Sequence, residues 1–128
     1  TTKPKKVLKF HSEVFSFVCL GKKRFFGARE EWMGNVKFSI SDVEKTIVDC
    51  LYLAEHSGGL TEVVKAFKTE LNYQLLFEYA VKMDDLALLK RLGYLLDELR
   101  IKTEITAKLL KKVSGGFVSW TLMALEKE

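Results

Sequence analysis

Hydrophobic and polar positions change period once along this chain, near Ser41. Before it the pattern is that of strands. Residues 7–10 (VLKF) form a short apolar run with basic flanks, and residues 14–20 (VFSFVCL) are rich in β-branched and aromatic side chains. Gly21-Lys22-Lys23 reads as a turn into Arg24-Phe25-Phe26. In residues 36–40, Val36, Phe38 and Ile40 alternate with polar residues, which predicts a half-buried strand. After Ser41 the apolar spacing becomes helical. Five helices are expected, over residues 42–55, 61–71, 73–83, 85–100 and from Thr103 to about residue 113. Ser41, Asn72, Asp84 and Thr103 stand where a side-chain oxygen can cap a first turn. Gly115-Gly116 closes the series, and residues 117–122 (FVSWTL) suggest a returning strand. The expected fold class is α+β: a small N-terminal antiparallel sheet, then about five helices, in a single domain spanning residues 1–128.

The most strongly patterned stretch is ISDVEKTIVDCL, residues 40–51. Ser41-Asp42-Val43-Glu44 fits a capping box, in which Ser41 accepts from the amide of Glu44 and the Glu44 carboxylate reaches back to the amide of Ser41. Val43, Ile47, Cys50, Leu51 and Ala54 then fall on one core-facing stripe. Lys45 and Asp49 lie four apart on the opposite side, a spacing that permits a weak surface pair. Lys45-Thr46 is not a phosphate loop, because no glycines precede the lysine to admit phosphate to backbone amides.

Charge adds a bias. The 128 residues carry a formal net charge of +4, but residues 1–40 hold nine Lys/Arg against three Asp/Glu, whereas residues 41–128 hold twelve against fourteen. A basic N-terminal third points to an anionic partner such as nucleic acid. Lys22, Lys23, Arg24 and Arg29, interleaved with Phe25 and Phe26, are the candidate contacts there, and Lys90 and Arg91 are candidates on the fourth helix. Gly93 sits inside that helix, where close packing of a second helix accounts for a residue with poor helix propensity.

No run is apolar enough to span a membrane, and no signal peptide is visible, so a cytoplasmic protein is expected. The chain starts at Thr1 rather than Met, as a fragment or processed product does. Cys19 and Cys50 are expected as buried, reduced thiols. Cys50 and His56 cannot fill a metal site between them, and His11 has no visible partner, so no metal or cofactor is expected. No nucleophile motif supports catalysis; an enzyme here needs a cleft lined by Asp49, Glu44, Lys45 or His56.

Five pieces recur in order: Arg24-Phe25-Phe26-Gly27, residues 40–51, Gly58-Gly59, Tyr79-Ala80-Val81-Lys82-Met83, and residues 90–96 (KRLGYLL). In these the chain resembles the C-terminal domain of the AbiEi family, transcriptional regulators and antitoxins of abortive-infection type IV toxin–antitoxin systems. The resemblance runs from about Lys6 to Phe117. It implies a domain that works beside an N-terminal winged helix-turn-helix. Together the two bind operator DNA, repress their operon, and counter a nucleotidyltransferase-like toxin without a stable complex. It implies no metal and no catalytic residue, and a structural role for Ser41, Asp42, Glu44, Lys45, Thr46, Asp49 and Gly93. The winged helix is absent from these residues, so groove reading of DNA is not expected of this chain alone. A stand-alone nucleic-acid-binding module using the basic third is the alternative reading.

Overall fold

A computed structural model describes residues 1–114, so the strand expected at residues 117–122 lies outside the described residues. The α+β class holds. Two separate antiparallel hairpins come first, β1 (Leu8–Phe10) with β2 (Glu13–Phe15), and β3 (Ala28–Met33) with β4 (Val36–Ser41). Five helices follow: α1 (Val43–Tyr52), α2 (Leu60–Ala66), α3 (Tyr73–Lys82), α4 (Leu86–Glu98) and α5 (Glu104–Ser114). The expected single N-terminal sheet is therefore two ribbons. β3 is an element that composition concealed, since Arg29-Glu30-Glu31 is poor strand material. Its partner and its turn impose it. Gly34 takes φ +59° as the first central residue of a two-residue loop, the position where a tight hairpin turn needs glycine.

Residues 16–20 do not continue β2. Their backbone groups bond to residue 1 instead: Leu20 N donates to Thr1 O, and the Thr1 amino group donates to Val18 O. Residues 22–24 form a short 3₁₀ turn.

The core is helical. Leu51, Leu76, Ala80, Leu88, Leu92, Leu96, Ile105 and Leu109 are buried, and among the described residues none before Lys45 is. Burial of such side chains contributes roughly 1.5–3 kcal/mol each, so most of the stabilisation sits in the helical cluster. α1 packs on α2, α3 and α4, while α5 covers α4 and α3. Gly93 is buried within α4.

Helix starts differ from expectation in four places: α2 begins at Leu60 after Gly59 with no side-chain cap, Thr103 Oγ1 makes no hydrogen bond at the head of α5, and two caps are shifted by one residue. Asp42, not Ser41, caps α1, its Oδ1 accepting from Lys45 N at 2.8 Å. Ser41 remains in β4 and shares a 2.7 Å hydroxyl hydrogen bond with Thr46. Glu44 does not turn back; it accepts from Asn72 N at 2.8 Å and ties α1 to the head of α3. Asp84 takes φ +52° and turns the chain, leaving Asp85 to cap α4 through Leu88 N at 2.7 Å. Asn72 caps α3 as expected, accepting from Leu75 N. The second helix stops early because Phe67, Lys68 and Thr69 donate three residues back, the tighter 3₁₀ spacing.

Candidate functional site

The pattern placed Lys45 on the solvent side of α1. It is instead 1 % exposed, and among the described residues it is the buried charged side chain. The buried arc of α1 comprises Lys45, Ile47, Val48 and Leu51, with Val43 left exposed. It is turned by about 100°, one residue's rotation, from the expected stripe. The reason is tertiary: the helix is covered on two flanks, by the other helices and by the Phe26-Gly27 segment. Lys45 Nζ pairs with Asp49 Oδ1 and lies 4.7 Å from the Phe26 ring centre. A buried ammonium is tolerated only with such partners, since desolvation of an unpaired charge is prohibitive.

The neighbouring segment is built around this pair. Gly27 takes φ +69°, and a Cβ there would stand 2.8 Å from Lys45 Cβ. Gly27 O accepts from Asp42 N at 2.9 Å. Phe26 also touches the Tyr79 ring and lies under the Lys82 ammonium, 4.4 Å from its ring centre. The Tyr79 hydroxyl donates to Asp42 Oδ2 at 2.8 Å; that bond, with some burial, raises its pKa.

Arg24 is not free for phosphate. Its Nε donates to Met83 O at 2.8 Å and its Nη1 to the Tyr52 hydroxyl at 2.7 Å, with the guanidinium 4.8 Å from the Tyr52 ring centre. It caps the end of α3. Arg91 likewise donates to Leu51 O and Tyr52 O, satisfying the last carbonyls of α1. Arg29 is exposed and pairs with Glu31. Of the six basic candidates, Lys22 and Lys23 are exposed, with no side-chain hydrogen bond or ion pair among the described residues, and Lys90 is half-buried.

Structure also relocates the basic surface. Residues 1–24 hold seven Lys/Arg against one Glu, while β3–β4 holds two of each sign. The β1–β2 hairpin carries exposed Phe10 and Phe15, and Phe17 just beyond lies 5.5 Å under Lys5. Lys3, Lys5, Lys6 and Lys9 were therefore missed as contact candidates. The available signal was the run of four lysines within residues 3–9, of which Lys9 adjoins an aromatic residue, Phe10. Phe25 is 55 % exposed and thus open to stacking.

The β3–β4 hairpin reverses its expected orientation. Cross-strand register puts Met33 with Val36, Glu31 with Phe38 and Arg29 with Ile40 on one face; Ala28 with Ser41, Glu30 with Ser39 and Trp32 with Lys37 share the other. Ala28, Ser39 and Ser41 at the end of the second face line a cavity, while Trp32 on that face and Met33, Val36, Phe38 and Ile40 on the first are exposed.

That cavity measures about 540 Å³. Phe17, Leu20 and Phe25 form one wall, α1 and the turn after it another, and Lys45 and Asp49 also line it. His56, Cys50 and Ser57 join them, so three of the four residues required of a catalytic cleft do meet at one; Glu44 lies elsewhere, on Asn72. The parts are not coupled for nucleophilic attack. Ser57 Oγ donates to backbone oxygens of Cys50 and Ala54, and among the described residues no hydrogen bond joins His56 to Cys50, Ser57 or Asp49. No three His, Cys, Asp or Glu side chains among the described residues group to hold a metal, and no described helix is long and apolar enough to cross a membrane.

Burial raises the Cys50 thiol pKa, with the Asp49 charge adding to it against a lowering hydrogen bond from Ser57. Cys19, expected buried, is exposed because residues 16–20 bond to residue 1 rather than into a sheet. In a thiol titration at neutral pH, Cys19 is expected to react at least tenfold faster than Cys50. Equal rates would contradict this burial pattern.

A comparison with family models finds no match, and comparisons with curated proteins and with solved structures find none either.

Proposed function

We propose that this chain is a non-enzymatic regulatory domain of an AbiEi-like transcriptional regulator and antitoxin. It acts in the cytoplasm beside a DNA-binding domain, represses its operon, and counters a nucleotidyltransferase-like toxin. The observation that carries this reading is the convergence of the residues behind the resemblance. Arg24, Phe26 and Gly27 meet Lys45, Asp49, Tyr79 and Met83 in one brace, and Arg91 closes the end of α1. Motif residues spent on bracing helices suit a scaffold that acts by contact. The outward apolar face of Met33, Val36, Phe38 and Ile40 supplies a surface for such contact.

The test is growth rescue. A nucleotidyltransferase-like toxin is induced in cells expressing the chain, alone and fused behind a winged helix, with an operator reporter in parallel. Rescue of growth, with repression by the fusion, is expected. Soluble, folded protein giving neither result would end the reading.

Exposed Phe25, with Phe10, Phe15 and the unpaired lysines, favours a second reading in which the chain itself binds nucleic acid. Fluorescence anisotropy with labelled duplex DNA and single-stranded RNA separates the two. If the chain binds, affinity falls steeply with salt as counterions are released. Lys5→Glu, Lys9→Glu, Lys22→Glu and Lys23→Glu together should then abolish binding with the fold intact. Binding that survives the four changes would exclude this surface.

A further inference from the structure

Neither reading above assigns a ligand to the cavity beside Lys45, although both use residues that line it. Its volume of about 540 Å³ lies within the usual range for small-molecule sites, ~300–1,000 Å³. Its walls include the rings of Phe17, Phe25 and Phe26 and the side chains of Leu20 and Leu53.

The polar groups it presents are few and unevenly occupied. Ser41 Oγ is taken by Thr46, and Ser57 Oγ by backbone oxygens. Asp49 accepts from Lys45 through Oδ1, and its Oδ2 has no hydrogen bond among the described residues. Ser16 and Ser39 also line the cavity, and their hydroxyls are equally unoccupied. The cavity thus offers a carboxylate oxygen as acceptor, two hydroxyls able to donate and the His56 imidazole, whose ring nitrogens make no hydrogen bond among the described residues; the amino group of Thr1, also in the lining, is held by Val18 O.

Charge narrows the class of ligand. Lys45 already neutralises Asp49, so a cation gains little there. The Lys45 side chain is 2 % exposed, its ammonium between Asp49 and the Phe26 ring, so an anion cannot reach it fully. An uncharged group carrying an N–H donor beside an acceptor matches what remains, and a flat ring matches aromatic walls, where stacked or edge-on contact contributes about 0.5–1.5 kcal/mol.

We propose that this cavity binds a small, uncharged, planar heterocycle of the nucleobase type, its N–H donating to Asp49 and its faces packing against Phe17 and Phe25. The site is a property of the fold and does not rest on the regulatory reading; failure of growth rescue leaves it standing.

The test is saturation-transfer NMR and calorimetric titration of the full chain with adenine and with cytosine, using benzoate and butylamine as charged controls of similar or smaller size. At least one base is expected to bind, and the controls at least tenfold more weakly. Ser39→Leu fills the cavity from β4 without touching the Lys45–Asp49 pair. It is expected to weaken base binding tenfold or more at an unchanged unfolding midpoint. Phe17→Ala is a second variant outside the buried core, expected to weaken it as well. No binding of either base, benzoate binding as well as the bases, or base binding unchanged in both variants would each overturn the proposal.

Discussion

Gly27→Ala is expected to destabilise the protein by about 2–5 kcal/mol. Two costs add. The residue holds φ +69°, where an L side chain costs roughly 1–2 kcal/mol. The new Cβ would also meet Lys45 Cβ at 2.8 Å, Lys45 Cγ at 2.9 Å and Tyr79 Cε2 at 3.2 Å, and such overpacking costs about 1–3 kcal/mol. Lys45 cannot swing aside, because Asp49 and the Phe26 ring hold its ammonium. Gly21→Ala is the control: its Cβ would meet nothing within 4 Å and its φ is −59°. Urea denaturation followed by circular dichroism measures both. If the two variants shift the midpoint alike, the close seating of the Phe26-Gly27 segment on α1 is refuted.

Asp49→Ala is expected to cost about 3 kcal/mol, because it leaves the Lys45 ammonium buried without its counter-charge. The figure is at the low end for a broken buried pair, since Asp49 is one-third exposed and water screens part of the loss. Adding Lys45→Met should recover most of the stability, because a side chain of similar volume without charge suits the same pocket. A double-mutant cycle measures the coupling directly. Additive effects of the two changes would mean the pair is no more than a surface contact, as the sequence alone suggested.

Those two positions also show where the sequence could be read and where it could not. Helical periodicity located all five helices, and Asn72 at the head of α3 was assigned to its observed role, whereas Thr103 caps nothing through its hydroxyl. Errors of one residue at Ser41/Asp42 and Asp84/Asp85 arose because adjacent residues were both competent caps; only the path of the incoming chain selects between them. β3 was invisible because its stability comes from β4 across the ribbon rather than from its own composition. The direction of Val36, Phe38 and Ile40 was equally undetermined, since alternation separates two faces without saying which one meets the body. Among the basic residues, an arginine gripping carbonyls and a lysine in solvent look the same in sequence.

What the sequence determined by itself is local: the change from strand to helix near Ser41, the order and rough extents of the five helices, the basic bias of the N-terminal third, and a resemblance carried by Arg24 to Gly27, residues 40–51 and residues 90–96. Tertiary structure alone decided that Lys45 and Asp49 are sunk beneath Phe26, that Arg24 and Arg91 cap helix ends, that the apolar face of β3–β4 turns outward, and that a cavity opens beside the ion pair. The physical reason is one of range. Periodicity and capping depend on residues within about four positions of one another. Which flank of a helix is covered, and which charge is desolvated, depends on segments that meet only after the chain has folded.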